Sequence, residues 1–208
     1  MTGEICKLPE IVSLAEKYGA RVMVDDAHGL GVLGKTGKGT ADYFGLTDKV
    51  DIIMGTFSKS LASLGGYMVS TARVCDYIKH SSRPFIFSAS MTPASCTSAL
   101  AALNELKERP QMVKKLSGLS DYLRKALKAK GIKIKDSTTP IIPIYTYDSI
   151  RTLTLGKKLF DAGVYVNPVL PPATPEGECL LRVSLMATHT KALIDEAVEI
   201  LDRVLREN

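Results

Sequence analysis

The stretch MGTFSKSLASLGGYMVS, residues 54–70, decides how this chain is read. An apolar run, DIIMGTF (51–57), leads into it. One lysine, Lys59, follows among Thr56, Ser58, Ser60, Ala62 and Ser63, with Gly65 and Gly66 behind. The apolar run predicts a buried strand, which puts Lys59 just past a strand's carboxyl end, in a pocket lined with small residues. Burying an ammonium is costly unless something offsets the lost hydration.

Working outward, LPEIVSLAEKYG (8–19) has the spacing of an amphipathic helix, with Gly19 as its C-cap. RVMVD (21–25), GYMVS (66–70) and PFIFS (84–88) predict further strands, and residues 74–82 a short helix. Helices alternating with apolar strands define an α/β fold with a largely parallel sheet covered on both faces. Helices are expected over 94–108 and 110–130. After Gly131 the texture changes: IIPIYTY (141–147) and VYVNP (164–168) read as strands around a helix near 149–162. CLLRVSLM (179–186) reads as another strand and 190–206 as a closing helix, while PVLPPATPEGE (168–178) is a proline-rich loop. The expected division is a domain over 1–109 and a smaller α+β domain over 110–208.

The bulk properties exclude several classes. Of 208 residues, 45% are hydrophobic and 24% charged, an ordinary globular composition. The net charge of +5 permits phosphate-bearing ligands without indicating nucleic acid, and the lysines between 114 and 135 read as a solvated helix face. Cys6, Cys75, Cys96 and Cys179 lie far apart with no CxxC pair. That spacing offers neither a zinc site nor a disulfide framework, so no metal and a reducing cytoplasm are expected. No apolar run reaches the length of a membrane span, and the first residues lack a signal-peptide pattern.

One motif points elsewhere. GLGVLGKT (29–36) matches both the dinucleotide GxGxxG and the P-loop GxxxxGK[ST], which keeps a nucleotide-binding protein open as an alternative. A P-loop needs a strand directly before it and a helix directly after. Here Asp25 and Asp26 would face incoming phosphates, and GKGT after Thr36 starts a helix poorly.

The second constellation is chemically richer. Asp25 ends one strand and Lys59 follows another, and in open parallel sheets ligands bind beyond the carboxyl strand ends. His28 leaves the first strand three residues after Asp25. An acid, an imidazole and an amine beside small hydroxyl residues suit pyridoxal phosphate. Lys59 can form a Schiff base with its aldehyde, and Asp25 can keep the pyridine nitrogen protonated. His28 can bond the ring hydroxyl or share proton transfer, and Thr56 offers a hydroxyl to the phosphate. Taken singly, each residue has a structural alternative: a strand-end cap, a structural histidine, a snorkelling lysine.

VDDAHGLGVLG (24–34), GTFSKSLASLGG (55–66), FSASMTP (87–93) and PPATPEGECLLR (171–182) together resemble the α-oxoamine synthases, pyridoxal-phosphate enzymes of fold type I. The resemblance covers essentially the whole chain. It implies condensation of an amino acid with an acyl-CoA, releasing CO2 and CoA. It also implies a homodimer, with Lys59 as the Schiff-base lysine, Asp25 as the pyridine-nitrogen partner, His28 near the ring oxygen and Thr56 on the phosphate. Ala89 and Ser90 match the pair that reaches the neighbouring subunit's cofactor phosphate. Arg182 matches the arginine that binds the substrate carboxylate, a task suited to a guanidinium fork. From the sequence alone, Arg182 equally fits an exposed edge strand.

Members of that family are roughly twice this length, and their first half carries the ring-stacking residue and much of the phosphate cup. The expectation is therefore part of a cofactor-binding large domain plus a complete small domain. The chain alone is expected to be inactive, or to be a non-catalytic remnant that packs against a partner chain.

Overall fold

The computed structural model describes residues 1–207. By packing, the chain divides into two compact units: Cys6–Val113, and Met1–Ile5 with Lys114–Asn208.

In the first unit, α1 (Leu8–Tyr18) starts with a proline in its first turn. It ends where Gly19 turns left-handed at φ 62°, a conformation glycine adopts without a Cβ penalty. Its apolar stripe buries Leu8 and Val12 against Val22, Val24 and Ala41. The sheet beside it contains β1 (Met23–Asp25), β2 (Ile52–Thr56) and β3 (Gly66–Val69), in that spatial order. β1 and β2 are parallel, as expected, whereas β3 runs antiparallel to β2. The turn from Thr56 to Gly66 is too short for a crossover helix, so the chain can only return as a hairpin. The sheet is also not covered on both faces, because Val24 of β1 is buried while Met23 and Asp25 are exposed.

Two short elements, α2 (Thr40–Tyr43) and a 3-10 turn (Thr47–Lys49), lead into β2. α3 (Ala72–Ser81) is capped by the Thr71 hydroxyl. The strand expected at 84–88 does not form: α4 (Arg83–Ile86) is a single helical turn, with the Phe85 and Ile86 amides donating to Ser82 O at 3.1 and 2.9 Å. Pro84 favours a first helical turn, and without a neighbouring strand a short apolar run has nothing to pair with. α5 (Pro93–Glu108) follows, its first turn capped by Thr92, which accepts the Ser95 amide at 3.2 Å.

The second unit holds a larger core. α6 (Gln111–Ala129), α7 (Ser149–Asp161) and α8 (Lys191–Arg206) pack with β4 (Ile141–Tyr147), β5 (Asn167–Val169) and β6 (Cys179–Ser184). Leu123, Leu127, Ile142, Leu155, Leu159, Leu181 and Leu201 are almost fully buried there. The sheet order is β4-β6-β5, antiparallel throughout. Pro143 is tolerated within β4 because β4 is an edge strand. The N-terminal residues join this unit: Thr139 Oγ1 donates to Gly3 O at 2.8 Å, and Lys135 pairs with Glu4 at 2.7 Å.

Candidate functional site

In the strand register, Asp25 lies opposite Met54, two residues before Thr56. Residues two apart share a sheet face, so Asp25 and Thr56 point the same way, diagonal neighbours roughly 8 Å apart. Three residues after Thr56, Lys59 folds back so that its Nζ donates to Thr56 Oγ1 at 3.0 Å. Amine, hydroxyl and carboxylate thus gather at the carboxyl end of the parallel pair. His28 is exposed on the turn leaving β1. Of the two adjacent aspartates, Asp25 is the one left exposed, and it accepts the Ala27 amide at 3.0 Å. Asp26 is 3% exposed and its two oxygens are committed to Thr40, accepting the backbone amide at 2.7 Å and the hydroxyl at 2.5 Å.

The loop that carries Lys59 is held from several sides. Within it, the Phe57 amide donates to Gly65 O at 2.9 Å, Ser63 N to Phe57 O at 2.9 Å and Ala62 N to Lys59 O at 3.1 Å. Ser63 Oγ donates to Ser95 O at 2.7 Å, and Ser60 Oγ to Leu30 O. Gly65, at φ 101°, lies against the Met91 thioether, where no side chain would fit. Beneath the loop, on the opposite sheet face from Thr56, the Phe57 and Tyr67 rings stack at 5.7 Å. Tyr67 covers Gly55, so a methyl there would come within 2.5 Å of its phenol oxygen. Burial, and then the Asp26 carboxylate, push the Tyr67 phenol above its usual pKa and keep it neutral.

The serines beside Lys59, expected as pocket lining, include two tethers, Ser60 and Ser63. Nothing in their spacing identified the acceptors, which lie some thirty residues away in the chain.

The structure gives the nucleotide alternative at residues 29–36 no support. The amides of Gly29, Leu30, Gly31, Val32 and Leu33 all donate to carbonyls of this same loop and of Asp26, leaving them unavailable to phosphate. No helix begins until Thr40. The glycines serve close packing instead: methyls at Gly29 and Gly39 would each collide with the Asp26 carboxylate.

Ala89 and Ser90 lie exposed in the segment between α4 and α5. In the other unit, Arg182 sits on β6, the central strand, paired with Pro143 and Asn167. It is therefore not an edge-strand residue. Its Nε is buried without a partner among the described residues, and burial lowers the guanidinium's pKa from the ordinary arginine value. A buried donor without a partner is uncommon enough to mark a place for an acceptor.

Fold and site together define an α/β unit that presents a lysine and an acid at the carboxyl ends of sheet strands. The pattern of the aminotransferase class I and II family matches residues 1–201, and the chain belongs to that family. A serine palmitoyltransferase of Sphingobacterium spiritivorum is 51% identical over 207 residues, covering 100% of this chain and 52% of that protein. An 8-amino-7-oxononanoate synthase of Thermosipho melanesiensis is 43% identical, covering 98% and 52%. A solved serine palmitoyltransferase from S. paucimobilis, with bound PLP-myriocin aldimine, superposes with a TM-score of 0.94 at 33% identity, over 100% of this chain and 52% of that one. The fold is that of fold type I transferases, and the chain spans about half the length of the curated relatives it matches. No helix of the described residues is long and apolar enough to cross a membrane.

Proposed function

We propose that this chain supplies the lysine-bearing part of a pyridoxal-phosphate-dependent acyltransferase of the α-oxoamine synthase kind, which condenses an amino acid with an acyl-CoA and releases CO2. The observation that carries this is the gathering of Asp25, Thr56 and Lys59 on one sheet face, with Lys59 Nζ 3.0 Å from Thr56 Oγ1. This donor set fits the cofactor: an amine for the aldehyde, a hydroxyl for the phosphate and a carboxylate for the ring nitrogen. When bound, the cofactor supplies an electron sink for a carbanion at the amino acid's α-carbon.

The chain's own residues then divide the work. Asp25 holds a proton on the ring nitrogen, and Asp26 cannot replace it while both its oxygens serve Thr40. Lys59 would hold the cofactor through its amine and, as a free amine, would take the substrate's α-proton at Nζ. His28 bonds the ring oxygen. Arg182 receives the substrate carboxylate, a role supported by its unpartnered Nε. Ala89 and Ser90 serve the phosphate of a second copy in a homodimer. Serine is the favoured amino acid, supported by 51% identity to a serine palmitoyltransferase against 43% to an 8-amino-7-oxononanoate synthase. The cofactor-binding part is the unit Cys6–Val113, and the small domain is Lys114 onward with Met1–Ile5, in place of the 1–109 and 110–208 division expected from the sequence.

The activity belongs to a longer protein that also carries the half found in the relatives. Exposed Ile11, Leu14, Tyr18, Met23 and Phe87 on the first unit support this, since so much apolar surface is normally covered. Borohydride reduction of that longer protein, loaded with pyridoxal phosphate, should place the pyridoxyl group on Lys59; finding it on another lysine overturns the assignment. The 208-residue chain, given pyridoxal phosphate, serine and acyl-CoA, should release no CoA. Steady release abolished by Lys59→Ala would show it to be a complete enzyme.

A further inference from the structure

We infer that Ser60 is a positioning residue for Lys59: its hydroxyl latches the lysine loop onto the Leu30 carbonyl of the glycine-rich loop. The inference rests on Lys59 being the cofactor lysine. Ser60 is the next residue in the chain, so fixing it fixes the backbone from which the lysine side chain swings. The two loops also touch directly, because a Cβ at Gly31 would come within 2.6 Å of Ser60 Cβ. Only a glycine lets the receiving loop lie this close.

The receiving side is itself rigid. Leu30 N donates to Asp26 O at 3.3 Å, and Gly31 N to Gly37 O at 2.7 Å. The Asp26 side chain is in turn held by the Thr40 amide at 2.7 Å. A carbonyl anchored in this way gives Ser60 a fixed acceptor, and Ser63 on Ser95 O, at 2.7 Å, supplies a second tether beyond Lys59. With both tethers in place, the side-chain torsions are the main freedom left to Lys59. Placement of a reacting amine to within about an ångström is what such support provides.

Two substitutions release the latch differently. Ser60→Ala removes the donor at an exposed position, where the fold tolerates the change. Gly31→Ala leaves Ser60 intact but pushes it from Leu30 O. Gly34→Ala is the control: it strains the same loop at φ 84° but meets Asp42 rather than Ser60. Two readouts are taken on the 208-residue chain. One is hydrogen exchange at the Ala62 and Ser63 amides. The other is the rate of borohydride-trapped pyridoxyl incorporation at Lys59 relative to exposed Lys107.

Ser60→Ala and Gly31→Ala should each speed exchange by roughly 2- to 10-fold, the worth of one hydrogen bond, and lower the Lys59 to Lys107 ratio by a similar factor. Gly34→Ala should leave both readouts near those of the unsubstituted chain. No change in either readout on Ser60→Ala overturns the inference, and so does an equal change on Gly34→Ala. A Lys59 to Lys107 ratio of about one in the unsubstituted chain leaves amide exchange to decide the latch, and exchange unchanged on Ser60→Ala then overturns it; failure of the cofactor-lysine assignment is told apart because it appears as pyridoxylation of another lysine in the longer protein.

Discussion

Gly29→Ala tests how the glycine-rich loop is built. Gly29 does not occupy the left-handed region, so alanine meets no backbone penalty there. The obstacle is steric: the new methyl would fall inside the van der Waals shell of Asp26 Oδ1 and within 2.6 Å of its carboxyl carbon. The carboxylate must swing away and give up the Thr40 amide at 2.7 Å and the Thr40 hydroxyl at 2.5 Å, or the loop must move and lose the Gly29 N to Asp26 O bond at 2.9 Å. Hydrogen bonds to a charged group contribute about 1.5–3 kcal/mol each, so losing two, with partial relaxation, costs on the order of 3 kcal/mol. Asp26→Ala alone should cost a similar amount, since it orphans the same Thr40 groups in a buried place. In the Asp26→Ala background the methyl has room, and Gly29→Ala should then cost less than about 1 kcal/mol, because the two residues share one contact. Amide exchange at Gly31 and Gly39, which donate to Gly37 O at 2.7 Å and Leu33 O at 2.9 Å, reads the local opening. A local probe is preferable because two compact units do not license a single unfolding transition. Gly29→Ala should speed that exchange roughly 100-fold, at about 1.4 kcal/mol per decade. An equal effect in the presence and absence of the Asp26 carboxylate would refute the reasoning.

Three further outcomes are expected. In the longer protein, Asp25→Asn should lower turnover far more than cofactor retention, measured by absorbance of the bound cofactor after dialysis; turnover within a few-fold of wild type would exclude Asp25 as the ring-nitrogen partner. The Asp51 carboxyl is held below the ordinary aspartate value, first by the Val22 amide and then by Arg21. Its stabilising contribution is therefore present above about pH 4 and disappears as pH falls through the lower folded value, so Asp51→Asn should flatten the acid limb of a pH-melting series there; an unchanged limb would show the carboxylate to be unimportant. Thr92→Ala removes the cap that accepts the Ser95 amide at 3.2 Å and should destabilise the start of α5 by about 1 kcal/mol, read as faster exchange at Ser95 and Cys96 while Thr92→Ser retains protection.

Local pattern alone placed Thr56 and Asp25 at strand ends and Lys59 just beyond one, because an apolar run ending in a small-residue segment is visible within a dozen residues. The helices over 8–18, 149–161 and 191–206 were equally legible, since their apolar periods and caps are local properties. Tertiary structure decided what depends on partners distant in the chain. Residues 84–88 carry an apolar run that suits a strand or a helical turn, and the absence of a neighbouring strand there selected the turn. β3 took its antiparallel direction from the short hairpin at Lys59. Of two adjacent aspartates, Asp26 is buried and committed to Thr40, fourteen residues on, while Asp25 stays exposed. Arg182 became a central-strand residue only when β4 and β5 closed on either side of it. The glycines of 29–39 match a phosphate-binding pattern in one dimension. In three dimensions Gly29 and Gly39 let the loop close around the buried Asp26 carboxylate, and the amides of residues 29–33, committed to carbonyls of the loop and of Asp26, have nothing left to offer a phosphate.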